Sequence, residues 1–599
     1  MTGHHQPWEQ EIGLARPLPC RHYPYIALWL CLGAGLAAAQ EDHQEGQLSA
    51  STETDADATQ GATDGASELN AVESTVVPGD AQLEAQGARI GRIDIKVVDV
   101  FDPENPKESG KLYRAANFLH INTREHTVRP QLLFKSGEPY SRHVLDETAR
   151  NLRARRYLQD ASIVPVSYHP DTNTVDLLVR VQDVWTLNPG VSYGRSGGES
   201  RSGAQISESN LLGLGKEISV DRVQDVDRSA WRFAYVDPNL LSSRWEMEAQ
   251  YNNTSDGGLR SLLLDYPFYS LDSRWSAAVD VLHEEQIDKR FEQGVATDQY
   301  RTVHNTSGLA GGWSTGLRGP DALSGSPWVQ RWSLGYRVDE YSYSPDPVLG
   351  TTILPPDSHL RYPWVSLSWF QDQYEVTRNR EKIARTEDLY LGASLSLRIG
   401  YAAQSWGSDR NALLVKLQLQ DAYRVSERQY LFANFGINGR RQNGQWQGTL
   451  FTSGLRYDLR EGNKTLLVVM FNHAHSEKPD DSQQLYLGSD EGMRGYPLRY
   501  RSGTQRSVLA VEQRMYTNTQ ILRLLSVGGA AFVDVGRIGG ETNPIPGSKR
   551  IFTDVGFGLR LGNIRSSRGD MFHLDVAYPL DAQGQDRKLQ FSVTTKSSF

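Results

Sequence analysis

Hydrophobic and polar residues alternate along much of residues 188–599. The segment DLYLGASLSLRIGY, residues 388–401, places leucines and an isoleucine on one face and mostly polar or small residues on the other. LVKLQLQ, residues 414–420, repeats this two-residue period. Strands with this period and a length of about nine to eleven residues suit a barrel that crosses a membrane. At roughly 25 residues for each strand and its share of a loop, the region predicts a transmembrane β-barrel of about 16 antiparallel strands.

The last predicted strand runs to the end of the sequence. Leu589, Phe591, Val593 and Phe599 fall on one face of it. An amphipathic strand that ends in phenylalanine resembles the signal by which bacterial outer-membrane proteins are recognised for insertion. A soluble β-sandwich or propeller is the alternative, but the chain carries no repeated blade motif.

A different pattern precedes the barrel, in residues 89–186. Apolar and polar residues alternate over residues 93–97 and predict a half-buried strand. Two helices are predicted next, one within residues 123–134 and one that begins after an N-cap at Ser141. Two strands follow, of which TVDLLVRVQ, residues 174–182, has the clearest alternation. The order strand, helix, helix, strand, strand predicts a small α+β domain.

Two segments at the start of the chain differ from both domains. YIALWLCLGAGLAAA, residues 25–39, is a short apolar run that ends in small residues, so we expect residues 1–39 to be a signal peptide. Residues 40–88 contain eleven Asp and Glu and no Lys or Arg, and the chain's net charge of −9 arises there. This composition, without aromatic residues, predicts an acidic disordered linker.

The sequence offers no arrangement of residues typical of an enzyme. Both cysteines, Cys20 and Cys31, fall in the predicted signal peptide, so the mature chain has no thiol for a disulfide or a metal site. His473 and His475 share a strand face, where a position in the lumen or a loop is a simpler interpretation than a metal site or a general base. No basic cluster is interleaved with aromatic residues, so nucleic acid is not an expected partner. We expect no catalytic residue, no metal and no cofactor.

The small α+β domain resembles a POTRA domain, the periplasmic module of the BamA/TamA-like outer-membrane protein superfamily. The matching residues are Gly137 and Ser141 at the helix junction, Leu152, Tyr157 and the closing VDLLVRVQD, residues 175–183. A polar insertion lengthens the first connection beyond the usual pattern. Only one such module fits before the barrel.

Four short motifs in the barrel region resemble the same superfamily, which includes proteins of the bacterial surface antigen type. In chain order they are ESNLLGLGKEISV (208–220), GMRGYP (492–497), AAFVDVGRIG (530–539) and FHLDVAYPL (572–580). They are similar to an early E-x-N-L-L-G-x-G pattern, an Arg-Gly-aromatic loop, an F-x-D-x-G strand and a closing D-x-A-x-P-L pattern. Because their order is also that of the superfamily, the resemblance extends over most of residues 90–599.

The resemblance implies a position for the Arg-Gly-aromatic loop. In the superfamily this loop folds back into the barrel lumen, where Arg494 would need a carboxylate partner. Glu512 and Asp534 match the acids of two late strands. Alternation within its strand also predicts that Glu512 points inward.

The neighbours of Arg494 have implied roles as well. Gly495 would let the loop backbone approach the wall closely. Tyr496 would pack against side chains of the wall. Met493 stands where the superfamily usually has Val or Ile.

By this resemblance we expect a protein that inserts or translocates other polypeptides at the bacterial outer membrane, with its POTRA-like domain in the periplasm. Its partners would be unfolded outer-membrane or secreted client polypeptides and outer-membrane lipid, and a periplasmic or inner-membrane partner is left open. The mechanism would be non-covalent, through client capture by a POTRA edge strand and opening of the barrel seam near Val191 and Phe591. The alternatives are a dedicated two-partner-type secretion transporter and a passive pore or surface receptor.

Overall fold

The computed structural model describes residues 77–101, 110–111, 114, 117–118, 120–316, 328–346, 348, 354–378, 380, 386–462, 464–480, 484–521, 525–540, 550–563, 571–582 and 584–596. They form a small α+β module, residues 77–186, and a closed β-barrel that follows it. The predicted signal peptide, most of the predicted linker and Phe599 lie outside the described residues.

The module packs its helices on a three-stranded sheet. Its elements are α1 (Asp80–Ala85), β1 (Arg89–Val98), α2 (Glu125–Val128), α3 (Arg142–Arg153), β2 (Leu158–His169) and β3 (Thr174–Asp183). β3 lies in the middle, parallel to β1 and antiparallel to β2. The predicted alternation of β3 is confirmed. One face of β3 is buried against the apolar side of α3, and this face consists of Val175, Leu177, Val179 and Val181.

The predicted linker extends too far toward the barrel. Asp80–Ala85 form α1, and Leu83 is fully buried in the module core. Glu84 accepts a hydrogen bond from the backbone N–H of Arg142 at 2.8 Å, whereas the side chain of Ser141 makes no capping bond. Glu84, one of the acidic residues on which the prediction of disorder rested, therefore lies at the N-terminus of α3. A negative charge is favourable there.

The barrel strands alternate with turns at two ends. In chain order the strands after the module are β4 (Leu187–Ser196), β5 (Glu199–Glu208), β6 (Glu217–Gln224), β7 (Ser229–Asp237), β8 (Glu246–Thr254), β9 (Gly257–Tyr266), β10 (Trp275–Glu292), β11 (Val295–Ser314), β12 (Trp328–Pro345), β13 (Ser358–Gln371), β14 (Tyr374–Arg378), β15 (Thr386–Tyr390), β16 (Ser394–Ala402), β17 (Ala412–Ser426), β18 (Gln429–Gln442), β19 (Gln445–Glu461), β20 (Thr465–Glu477), β21 (Leu485–Leu487), β22 (Arg501–Gly503), β23 (Gln505–Ile521), β24 (Leu525–Gly539), β25 (Ile551–Asn563), β26 (Met571–Pro579) and β27 (Gln590–Lys596). All except the pairs β14–β15 and β21–β22 belong to the barrel, which closes between β27 and β4.

The predicted barrel is confirmed, but the predicted number of about 16 strands is wrong. Within the described residues the barrel has twenty antiparallel strands. Several connections are shorter than the estimate assumed, because a two-residue turn with positive φ joins neighbouring strands at Gly197 and Gly198, at Gln293 and Gly294, and again at residues 443–444. Such turns match the twist of a hairpin and leave more of the chain for strands.

The two faces of the barrel wall differ in polarity. Large apolar side chains point outward and stay exposed, among them Val191, Leu309, Val365 and Phe557. The inward positions carry buried polar and charged side chains, as a transmembrane barrel with a filled lumen requires. Among the residues that the structure describes, no helix combines the length and the apolar content needed to cross a membrane.

One predicted strand is broken. Residues 388–401 form the end of β15, an irregular stretch at 391–393 and most of β16. The backbone O of Gln371 would lie 2.7 Å from a Cβ at Gly392, so the chain can make this close approach only without a side chain. β14 and β15 pair with each other and form a hairpin apart from the wall.

The module contacts the barrel end at which β4 begins, here called the module end; the opposite end is called the far end. Two arginines of α3 bind the base of the β14–β15 hairpin. Arg150 Nη2 lies 2.9 Å from Asp372 Oδ1, and Arg153 Nε lies 2.9 Å from Asp388 Oδ2. The hairpin is therefore attached to the module by two ion pairs.

The early-barrel motif at residues 208–220 also contacts the module. The hydroxyl of Thr127 donates a hydrogen bond to Gly213 O at 2.7 Å, and Asn210 Nδ2 donates to the hydroxyl of Thr123 at 2.8 Å. This motif is the turn between β5 and β6, so its residues dock the module on the first strands.

A buried carboxyl group lies in the same interface. Glu147 of α3 accepts a hydrogen bond from the backbone N–H of Leu271, in the turn between β9 and β10, at 2.8 Å. Burial raises the pKa of Glu147 to about 7, because the charged form loses water. Docking of the module on the barrel is thus coupled to protonation of Glu147 near neutral pH.

Candidate functional site

The connection from β20 to β23 carries Arg494 and turns back into the lumen. Arg494 Nη1 donates a hydrogen bond to Glu512 Oε2 at 2.6 Å, while Nε and Nη2 donate to the two carboxylate oxygens of Asp534 at 2.8 Å each. Its Cζ lies 3.3 Å from the centre of the Phe532 ring. Carboxylates on the adjacent strands β23 and β24 therefore hold one guanidinium, as the resemblance implied.

Arg494 is part of a larger group of charged side chains. Glu512 also accepts hydrogen bonds from Arg514 Nε at 3.0 Å and from Arg560 Nη2 at 3.3 Å, and Arg560 Nη1 lies 2.5 Å from Asp575 Oδ1. We call these residues, with Asp554, the lumenal charge cluster: Arg494, Glu512, Arg514, Asp534, Asp554, Arg560 and Asp575. Except for Arg494, all are less than 5% exposed. Four carboxyl groups face three guanidiniums, so most of this buried charge is compensated within the cluster.

Gly495 and Tyr496 hold the loop against the wall. A Cβ at Gly495 would lie 2.6 Å from the Cβ of Asp554, so the loop can lie this close only with glycine. Tyr496 is 1% exposed. Its hydroxyl donates a hydrogen bond to Thr553 O at 3.0 Å, and its ring meets Phe552 edge to face.

Met493 fills a gap in the wall. It is fully buried, and its Sδ would lie 2.5 Å from a Cβ at Gly536 of β24. Since Gly536 is the glycine of the F-x-D-x-G motif, the wall lacks a side chain there. This space accommodates the long, unbranched side chain of Met493.

The same loop also reaches strands on the other side of the seam. Its arginine and aspartate side chains bind partners in or between β5, β6 and β7, and its backbone binds the β4–β5 turn. The contacts are Leu498 N to Gly197 O at 3.3 Å, Asp490 Oδ2 to Arg201 Nη2 at 2.7 Å, and Arg499 Nη1 to Asp227 Oδ1 at 3.0 Å. The loop therefore links the last barrel strands to the first from inside the lumen.

The seam itself has little backbone pairing. Val593 of β27 and Arg195 of β4 are the one register pair between these strands in the described part of the chain. By contrast, β26 and β27 pair continuously from Ala577 and Gln590 to Met571 and Lys596. The loop thus spans the junction of the wall that has the least backbone pairing in the described residues.

The β14–β15 hairpin approaches the charge cluster from the module end. Arg380 Nη2 lies 2.7 Å from Asp458 Oδ2 of β19. The backbone O of Arg380 accepts hydrogen bonds from Arg514 Nη1 and from the hydroxyl of Tyr516, both at 3.1 Å. Because Arg514 also binds Glu512, contacts continue from the module through the hairpin to the partners of Arg494.

The residues of the predicted C-terminal signal are divided between two settings. Leu589 and Phe591 are exposed on the outer surface, and Val593 lies in the seam. Phe599 lies outside the described residues. A role of this strand in recognition therefore stays a prediction.

His473 and His475 do not point into the lumen. They lie on the outward face of β20, where His473 Nδ1 is 2.8 Å from the hydroxyl oxygen of Ser507 on β23. His475 Nε2 is 3.4 Å from Glu477 Oε2. The expectation of a lumen or loop position for these histidines is wrong.

Sequence reasoning missed several members of the charge cluster. Two of them carried a signal: Arg514 follows Glu512 by two residues on the same strand face, and Asp575 is the acid of FHLDVAYPL. Asp554 and Arg560 alternate on the inward face of β25, but nothing local marks them. The contact of Arg380 with β23 joins residues more than 130 positions apart, which no periodicity predicts.

Comparisons with known proteins give one partial sequence match and several distant structural ones. No family model matches the chain. A protein of Treponema pallidum (strain Nichols), described as "Putative outer membrane protein assembly factor", is 29% identical over 131 residues. That match covers 20% of this chain and only 15% of the relative's length.

Several solved structures also align with most of the chain. BamA from Haemophilus ducreyi lacking POTRA domains 1–3 has 12% identity and a TM-score of 0.36, with 84% of each chain covered. CdiB from Acinetobacter baumannii has 15% identity and a TM-score of 0.38, with 85% of this chain and 73% of that chain covered. CdiB from Escherichia coli has 11% identity and a TM-score of 0.41, with 84% and 76% covered. Likenesses at these scores say nothing about activity.

The motifs singled out in the sequence come together in the fold. The four motifs lie in one closed barrel, and the two that form the Arg-Gly-aromatic loop and the F-x-D-x-G strand meet in the charge cluster. The closed barrel with its apolar outer face supports an outer-membrane location. The four motifs and the closed barrel thus resemble those of the BamA/TamA-like superfamily.

Proposed function

We propose that the protein inserts or translocates client polypeptides at the outer membrane through its barrel seam. The observation that carries this proposal is the junction of β27 and β4, where one register pair spans the described residues of the seam. An unpaired strand edge can template another strand. A client strand would pair with β4 or β27 when the seam opens.

The Arg494 loop would keep the seam closed between clients. It binds the late strands through Arg494 and Tyr496, and the early strands through Asp490 and Arg499. Opening the seam requires one of these two sets of contacts to change. The reaction is a non-covalent exchange of strand partners, so it needs no catalytic residue or cofactor.

We further propose that the α+β module is POTRA-like and lies in the periplasm. Its order of strands and helices supports this, as does the exposed edge of β2, which pairs only with β3 in the described residues. Val164 and Val166 are exposed on β2. An extended client could add to this edge by β-augmentation before it reaches the barrel.

Depletion of the protein in its host, followed by quantitative proteomics of the isolated outer membrane, tests the function. A fall in several unrelated β-barrel proteins is the result expected for an insertion factor. Loss of one exported protein would instead identify a dedicated transporter. An outer-membrane proteome that changes only by the loss of this protein would contradict the proposal and favour a pore or a receptor.

A further inference from the structure

Two arginines lie on the outward face of the barrel near its far end. Arg222 of β6 and Arg260 of β9 are both exposed. The turns β6–β7 and β8–β9, which are close to them in sequence, lie at the far end because β4 starts at the module end. The two side chains therefore mark the border between the apolar band and the far rim of the barrel.

Each of these arginines lies beside an outward-facing aromatic ring on the neighbouring strand. Arg222 pairs with Trp231 of β7 in register, and its Cζ is 5.6 Å from the centre of that ring. Arg260 pairs with Tyr251 of β8, with its Cζ 5.7 Å from the ring centre. Trp231 and Tyr251 are 46% and 44% exposed. Since β7 and β8 are adjacent, the two guanidiniums incline toward the same patch of the surface.

No carboxylate among the described residues neutralises either guanidinium. Arg222 has one polar contact, from Nη2 to the hydroxyl oxygen of Ser229 at 3.4 Å. Two other outward arginines, on β11 and β13, are paired, since Arg361 Nη2 lies 3.2 Å from Glu340 Oε1 and Arg301 binds Glu285. The patch on β6–β9 thus carries positive charge that no carboxylate in the described part of the chain balances.

An apolar surface continues from this patch toward the module end. Ile218, Phe233 and Leu262 are exposed on β6, β7 and β9. The Phe233 ring lies 6.1 Å from that of Tyr251, so the aromatic patch and the apolar band are continuous. This surface matches the two parts of a lipid. Its anionic headgroup would contact the arginines, and its hydrocarbon chains would lie along the apolar residues.

We propose that Arg222 and Arg260, with Trp231 and Tyr251, bind the phosphate-bearing headgroup of a lipid in the outer leaflet. Arginine binds phosphate through charge-assisted hydrogen bonds, and an aromatic ring beside it fits the interfacial layer. A phosphate there also offsets the unfavourable placement of arginine on a lipid-facing surface. The assignment to the outer leaflet rests on the proposed orientation with the module in the periplasm.

Native mass spectrometry of the full-length protein in detergent tests this site. The probes are diphosphorylated lipid A, the same lipid after removal of its phosphates, and inorganic phosphate. We compare the wild type, the double variant Arg222→Gln with Arg260→Gln, and the control Arg361→Gln, whose arginine already has a carboxylate partner. Heat-modifiability on gels checks that each variant has a folded barrel.

We expect the double variant to bind lipid A at least about ten-fold more weakly than the wild type, and Arg361→Gln to match the wild type. The dephosphorylated lipid should bind the wild type as weakly as lipid A binds the double variant, and millimolar inorganic phosphate should not compete. Equal binding of lipid A by the wild type and a folded double variant would overturn the proposal. Full competition by inorganic phosphate would overturn the assignment to a lipid. Because no client is present, the result is independent of the proposed transport function.

Discussion

The seam and the opposite wall of the barrel are held together in different ways. In the opposite wall, β10 and β11 pair along their full lengths, from Trp275 and Trp313 to Glu292 and Val295. At the seam, one register pair of the described residues joins β27 to β4. Side-chain contacts in the lumen are instead concentrated at the seam, because the Arg494 loop spans it with ion pairs on both sides.

This difference separates two kinds of cohesion. A continuous ladder opens only if many backbone hydrogen bonds break together, whereas side-chain contacts on a loop can be exchanged a few at a time. A barrel that must admit a client strand therefore benefits from a seam closed by side chains. The module sits against turns of β5–β10 and the β14–β15 hairpin, so it leaves the seam uncovered by these contacts.

The largest effect is expected from Arg494→Ala. It leaves the buried Asp534 without its guanidinium partner, and removal of one member of a buried pair costs about 3–5 kcal/mol of folding free energy. It also detaches the loop from the late strands, so amide hydrogen exchange should rise in β27 and β4. Exchange measured by mass spectrometry, together with heat-modifiability on gels, checks both effects.

Arg337→Ala is the matched control in the opposite wall. Arg337 is 3% exposed, and its Nη2 lies 3.1 Å from Asp280 Oδ1 across β12 and β10. It should lower stability as well, but it should leave exchange in β27 and β4 unchanged. If both variants raised exchange at the seam equally, the loop would have no special part in closing it.

A smaller loss is expected from Gly495→Val. A side chain there collides with Asp554, and forcing extra atoms into a packed site costs about 1–3 kcal/mol. The loop should move away from the wall while Arg494 keeps its charge. Gly529→Ala on β24 is the control, because its added Cβ would lie 3.7 Å from Gly558 O, an ordinary van der Waals contact. Thermal unfolding midpoints of the two variants should differ, and similar midpoints would contradict the close approach.

A weaker change is expected at the other end of the loop, from Arg499→Gln. Its partner Asp227 is a quarter exposed, so the lost ion pair is worth about 1 kcal/mol. Exchange should rise in β4 and β5 and stay unchanged in β24, because the contacts of Arg494 remain. A uniform rise on both sides would show that the two sets of contacts do not act separately.

The smallest effect concerns the module and not the seam. The pKa of Glu147 is raised from 4.5 to about 7, so its protonated form favours the docked state. This contribution is fully present below about pH 4.5 and is lost as the pH rises through about 7. With spin labels at Lys135 and Arg428, the distribution of label-to-label distances should be broader at pH 8.5 than at pH 5.5. Glu147→Gln should remove this difference. A pH response that persists in Glu147→Gln would assign it to another group.

Much of the site could be predicted because local patterns carry it. Glu512 lies on the polar face of an alternating strand, and Asp534 lies in a recognisable motif. The motif also explains why Gly536 leaves space for Met493, although only the structure shows that contact. Patterns of two-residue period thus predicted which side chains enter the lumen.

Other features depend on contacts that no local pattern contains. The alternation through residues 388–401 is the same whether β15 joins the wall or pairs with β14, so the hairpin was not predicted. The acidic run hid α1, because Leu83 is buried in a core formed mainly by residues far along the chain, such as Leu145 and Val175. The strand number was underestimated since turn length depends on individual residues such as Gly197 and Gly198.

A reversible disulfide across the seam tests whether clients need the junction of β27 and β4 to open. Val593 and Arg195 are directly opposed, and antiparallel pairs have Cα atoms about 4.5–5.5 Å apart, which suits a disulfide. The chain has no cysteine after Cys31, so Arg195→Cys with Val593→Cys would pair without competition. The control disulfide joins Val279→Cys and Leu309→Cys, which are opposed in the continuous ladder of β10 and β11.

The measurement is the level of those outer-membrane or exported proteins that fall when this protein is depleted. We expect the oxidised seam disulfide to lower these levels as depletion does and a reductant to restore them. The control disulfide should have no effect in either state. Wild-type levels in cells whose seam is fully cross-linked would contradict the proposal, because clients would then pass without opening the junction of β27 and β4.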